Sequence, residues 1–226
     1  MDELDRNEWT LSSGPGGRFH RNRHTSAYDS IAESVTCRIP ELLTTGYLYR
    51  LTRNYYEDCR RTGVDSLDSI IPVEANASGR SVVRETFAAL CDPSRQGALK
   101  QSTAFHSLLS GRTEEIALVL SDSALAAKSL SARRQRLHWH LQRLYRVRNS
   151  IIHTGSTATS LSALTAHLQD YVEATLTHVA AIIASGKATG IDAALERSVD
   201  NHEAATAVLE SGQAIDDRLV LDGALE

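Results

Sequence analysis

Leu137, Leu141, Leu144, Arg148 and Ile151 follow one another at spacings of 4, 3, 4 and 3. That is one stripe along a single helix, apolar except for one guanidinium. Burying an unpaired charge costs several kcal/mol. Arg148 must therefore be paired, meet a second subunit, or face a site that needs a cation. The helix carrying the stripe, taken from Ser131, is expected to end near Thr154-Gly155, since glycine is the usual residue just past a helix end.

The rest of the chain has the same period. Only 4 of 226 residues are proline and 13 glycine, while Ala, Leu and Ser are abundant, so long helices are permitted and an all-α fold is predicted. Ile31, Val35, Ile39, Leu42, Leu43, Leu48 and Leu51 mark helical structure over 28–61, with Pro40 dividing it and opening the second helix. Residues 62–79 are loop-like. Helices are expected at 80–91, 95–109 and 113–128, separated by Asp92-Pro93 and Gly111. A helix over about 159–184 ends at Gly186 and Gly190, and two shorter segments follow at 191–199 and 201–211. The residues from Ser211 are acidic and expected to fray. This gives a flexible polar arm at 1–25, a helical domain at 26–188 and an acidic helical C-terminal extension at 189–226. No strand alternation persists, and no internal repeat is found.

Several chemistries are excluded. Cys37, Cys59 and Cys91 lie 22 and 32 residues apart, so no C-x-x-C pair exists, and three sparse cysteines read as reduced, buried thiols of a cytoplasmic protein. The acidic start MDELDRNEWT lacks an apolar signal segment, and no stretch is long and apolar enough to span a membrane. The glycines around Pro15 lack the Lys-Ser/Thr of a phosphate loop. His20 and His24 sit in the polar arm and are not read as a metal site. His138 and His140 are two apart and point to nearly opposite sides of a helix, so they cannot chelate one metal. No metal or other cofactor is expected.

Charge is unevenly spread. Residues 1–122 carry 14 basic and 17 acidic side chains, 123–169 carry 7 basic and none acidic, and 170–226 carry 3 basic and 11 acidic. Six of the seven central cations are arginines: Arg133, Arg134, Arg136, Arg143, Arg146 and Arg148. Arginine suits bidentate contact with phosphates. The plainer reading is a solvated face whose cations pair with the acidic C-terminal segment.

Arg148-Asn149-Ser150-Ile151-Ile152-His153 has the form R-x4-H with Asn directly after the Arg. Around it stand Trp139-His140-Leu141-Gln142-Arg143, Tyr145-Arg146 and then His167-Leu168-Gln169-Asp170-Tyr171. Together these resemble the ApeA-like HEPN domains of the HEPN superfamily, most closely over about 130–185. The resemblance implies an antiparallel helical bundle that forms a two-fold homodimer, with both copies of the motif at the interface. It implies a metal-independent endoribonuclease of bacterial anti-phage defence or a toxin system, acting on RNA, tRNA included, with an antitoxin or sensor as regulatory partner. Where the antitoxin-paired branch has Tyr two residues after the His, this chain has Gly155, so control by modifying that Tyr is not expected. Relatives often carry the domain at the end of longer proteins, and this chain reads as a shortened relative.

Metal-free RNA cleavage uses the ribose 2′-hydroxyl as nucleophile, a base that titrates near neutrality, and a cation at the developing phosphorane. The motif then assigns His153 as general acid/base, Arg148 as phosphate stabiliser, and Asn149 as a group that orients His153 or donates to phosphate. Arg143, Arg146 and His140 are the candidates for holding the RNA backbone. His106, His167 and His178 read as packing or surface residues, and Tyr145 and Tyr171 as core or interface. A non-catalytic HEPN dimer that binds a nucleotide, an RNA or a protein is the alternative, and an unrelated helical scaffold with a chance motif is the third.

Overall fold

The computed structural model describes residues 31–155 and 161–221. The polar arm over 1–25, with His20 and His24, lies outside the described residues. Among those described there are ten helices and no strand: α1 (Ile31–Thr44), α2 (Tyr47–Arg61), α3 (Leu67–Ile70), α4 (Gly79–Cys91), α5 (Pro93–Ser102), α6 (Ser107–Ser121), α7 (Ser123–Thr154), α8 (Leu161–Ala184), α9 (Ile191–Glu210) and α10 (Asp217–Leu221). The fold is all-α, as the period of the apolar residues requires.

Local chemistry sets the helix boundaries. Pro40 lies inside α1 rather than opening the second helix. The break falls instead at Gly46, whose φ of 72° puts it in the left-handed region that glycine adopts cheaply. Gly111 is also interior, to α6, because His106 starts that helix by accepting from the Leu109 N–H at 3.3 Å. A glycine inside a helix costs about 1 kcal/mol relative to alanine. Burial of Leu109, Ile116 and Leu120 outweighs that. Asp122 ends α6 and starts α7, its carboxylate accepting from the N–H groups of Ala124 and Leu125 at 2.8 and 3.1 Å. The motif helix thus begins eight residues before Ser131 and runs for 32 residues. The two segments expected at 191–199 and 201–211 are one helix, α9, because buried Ser198, Val199 and His202 carry its inner face across the expected join. Beyond Ser211 the chain forms α10, which buries Val220 and Leu221.

Two apolar cores hold these helices. The larger is built from α2 to α6, the first turns of α7, the end of α9, and α10, and includes Tyr55, Ile71, Leu99, Leu120, Leu130 and Leu209. The smaller joins Leu42 and Leu43 of α1, Leu137 of α7, Val179 and Ile182 of α8, and Ala194 of α9. α7 and α9 contribute to both. Of the cysteines only Cys59 is buried; Cys37 is half-buried and Cys91 is exposed, with no disulfide among them. No described helix is long and apolar enough to cross a membrane.

Candidate active site

The leucine stripe is buried at Leu137 and Leu141, half-buried at Leu144 and Ile151, and open at Arg148. The last turns of α7 therefore leave the core, and the charge that interrupts the stripe is not buried. Nη1 of Arg148 donates to Oδ1 of Asn149 at 2.9 Å. On an ideal helix Arg148 and His153 are about 140° apart, and Asn149 lies between them. The hydrogen bond draws the guanidinium around the helix towards the His153 side. His153 is exposed, and no hydrogen bond joins its imidazole to another described residue. Gly155 closes the helix at φ 64°, its N–H donating to the Ile151 carbonyl at 3.0 Å.

The seven cations of the central block divide by direction. Arg134 reaches α1, its Nη2 lying 2.7 Å from Oε1 of the buried Glu41. Arg133 turns inward towards Arg50 and Tyr171, and its Nε is buried without a hydrogen-bond partner. Arg143 and Arg146 are exposed, as are Arg136 and Lys128, and none of these four makes an ion pair among the described residues. Among the described residues no central cation pairs with a carboxylate of the C-terminal segment, and Lys128, Arg136, Arg143 and Arg146 are solvated. The ion pair from that segment is Asp217 with Arg84, at 3.0 Å.

His140 has a different setting from the arginines. It is half-buried, its Nδ1 is 2.7 Å from the Tyr171 hydroxyl, and its ring lies edge-on to His167 with centroids 4.8 Å apart. Burial first, then His167 and Arg143, lower its pKa, which disfavours the charged ring. It bridges α7 to α8 through the Tyr171 hydroxyl. Tyr171 is held by the same contact, while Tyr145 is exposed. His106 caps α6, His167 is exposed and His178 is buried. His138 points away from His140, to α1. Among the described residues no group of three His, Cys, Asp or Glu side chains could hold a metal ion.

In the sequence, Trp139 has no role beyond the resemblance, and Arg136 counts only among the arginines of the basic block. Trp139 is 60% exposed on the outer side of α7. Spacing gives the signal: Arg136, Trp139, Arg143 and Arg146 recur at 3, 4 and 3, a second stripe on the side of α7 turned away from the leucine one.

The chain matches no protein-family model, and neither a curated protein nor a solved structure is similar to it.

Proposed function

We propose that this protein is a metal-independent endoribonuclease of the HEPN type, with Arg148, Asn149 and His153 as its catalytic residues. The observation that carries this reading is the presentation of all three on the final turns of α7, with the Arg148 guanidinium turned onto Asn149 and the neighbouring Arg143 and Arg146 unpaired. Residues with purely structural work would be expected to be committed to core or interhelical contacts, as Arg134 and His138 are.

The chemistry needs no redox partner. The 2′-hydroxyl oxygen bonds to the adjacent phosphorus and loses its proton to an imidazole. The bond from phosphorus to the 5′-oxygen breaks, and that oxygen takes a proton. The products are a 2′,3′-cyclic phosphate and a 5′-hydroxyl. Arg148 stabilises the extra negative charge on the phosphorane. Two copies of His153 facing each other across a two-fold axis would divide the proton transfers, one as base and one as acid. Support for such a homodimer comes from Ile152 and from Leu168, Val172 and Leu176. These are 46–61% exposed, and the last three recur every four residues along α8. The resemblance of the motif to ApeA-like HEPN domains supports a role in anti-phage defence or a toxin system.

One observation favours the alternative, a non-catalytic HEPN dimer. His153 has no orienting partner within the described chain. Cleavage of total cellular RNA in EDTA, wild type against His153→Ala, decides between the two. A positioned acid/base is worth about 10²–10⁴ in rate. Loss of that order in the variant, with cyclic-phosphate ends from the wild type, supports the enzyme. Equal cutting by both proteins removes His153 from the mechanism. A dimer in sedimentation that binds RNA without turnover supports the binding module.

A further inference from the structure

We propose that the outer side of α7 is a track for single-stranded RNA, in which Trp139 stacks on a base while Arg136, Arg143 and Arg146 hold the phosphates. The choice of RNA as the polymer rests on the ribonuclease reading above. The track itself rests on the placement of four side chains.

Arg136, Trp139, Arg143 and Arg146 recur at 3, 4 and 3 and so share one side of the helix. That side is turned away from Leu137 and Leu141, which are buried. All three arginines are exposed and make no ion pair, and no cation stacks on the indole among the described residues. Indole faces and guanidinium groups are both left open to solvent. His153 comes seven residues after Arg146, which itself comes seven after Trp139, each step a rotation of only about 20°. The indole and the imidazole thus project from one side of the helix, about 21 Å apart along its axis. A strand laid along that line would reach His153.

Charge chooses the occupant. The block 123–169 contains no carboxylate, so the track is cationic throughout. A second copy of this chain seated symmetrically over Arg136, Trp139, Arg143 and Arg146, rather than at the His153 end, would set arginines against arginines, which costs several kcal/mol. A polyanion releases counterions on the same surface. The exposed indole selects for a single strand. Every base has a face to stack on, whereas a duplex hides those faces between neighbouring bases.

The test uses the full chain with His153→Ala to stop turnover and Trp9→Phe to leave Trp139 as the sole tryptophan. It is titrated with a mixed-sequence single-stranded oligoribonucleotide and with the same sequence as a duplex. The single strand should quench the indole fluorescence, and the duplex should not. Base–aromatic stacking predicts that Trp139→Ala weakens Kd by between about 5- and 150-fold, while Trp139→Phe keeps most of the affinity. Arg136→Gln should weaken Kd and lower its salt dependence. An unchanged Kd in Trp139→Ala, equal quenching by duplex, or no binding at all would overturn the track. Cleavage is read separately in the His153-intact chain. Trp139-dependent binding without cleavage supports the track and removes the ribonuclease reading. Cleavage with KM unchanged in Trp139→Ala removes the track and leaves the enzyme.

Discussion

His138 Nδ1 donates to the Thr36 carbonyl oxygen at 2.7 Å, the oxygen that would take its intrahelical hydrogen bond from residue 40 if that residue were not proline. A carbonyl only accepts, so the proton is on Nδ1, and Nε2 accepts from the Gln142 amide at 2.9 Å. α7 thus supplies from outside what α1 cannot supply to itself. This is how a proline is accommodated inside α1.

Removing that donor should cost stability. His138→Ala is expected to lower the unfolding free energy by about 0.5–1.5 kcal/mol, the net range for one hydrogen bond at a half-buried carbonyl. In a Pro40→Ala background, residue 40 regains an N–H for Thr36, and the same change should cost clearly less. Urea unfolding of the four proteins measures the difference, and equal costs in both backgrounds would show that the two residues are not coupled.

The Arg148–Asn149 hydrogen bond gives a second expectation. A planar guanidinium fork can hold Asn149 and a phosphate oxygen together, whereas a lysine ammonium on a shorter reach cannot do so equivalently. Arg148→Lys should lower kcat towards the loss of about 10²–10³ that follows removal of one charge-stabilising donor. Full activity in Arg148→Lys would show that any positive charge suffices at this position.

Salt dependence separates the outward cations from the inward ones. Each phosphate contact to a single strand contributes about 0.7 to the slope of log K against log salt. Arg143→Gln and Arg146→Gln should each reduce the slope by about that amount. Arg134→Gln should leave it unchanged, because that guanidinium is committed to Glu41. Binding measured at several salt concentrations checks all three.

Stability should fall in mild acid. Burial, then Arg50, lowers the His178 pKa from 6.5 to about 4, and burial, then Arg134, does the same to His202. Between those two values the unfolded chain takes up protons that the folded chain refuses. Stability is therefore full above about pH 7 and is lost as pH falls from about 6.5 to about 4, by up to about 3 kcal/mol for each residue. Thermal unfolding across that range should show the decline, and His202→Gln should make it shallower. A flat profile in the wild type would mean that neither ring is held neutral by the fold.

Much of this architecture is written in the apolar period. The helix class, the end of α7 at Gly155 and the end of α8 before Gly186 follow from residues that act locally. Pro40, Gly111 and the join inside α9 depart from the local rules for one shared reason. Each is a local disadvantage outweighed by a partner remote in sequence: His138 for Pro40, the core around Leu109 and Ile116 for Gly111, and the packing of Ser198 and His202 for α9. The site is legible to a similar degree. The R-x4-H residues and the open arginines stand on one helix, whose period the sequence displays. Engagement of His140 by Tyr171 depends on how α8 packs against α7, which spacing along α7 does not encode.

Leu130 and Leu137 are two turns apart on α7 and belong to different cores, and Ala194 and Leu209 are divided in the same way along α9. Neither core can melt without loosening a helix that the other needs, so heating should give one cooperative transition rather than two. Modularity is lost in return. A chain cut at residue 190 would lose a wall of both cores together with its acidic tail. The activity of such a fragment would report whether it still folds.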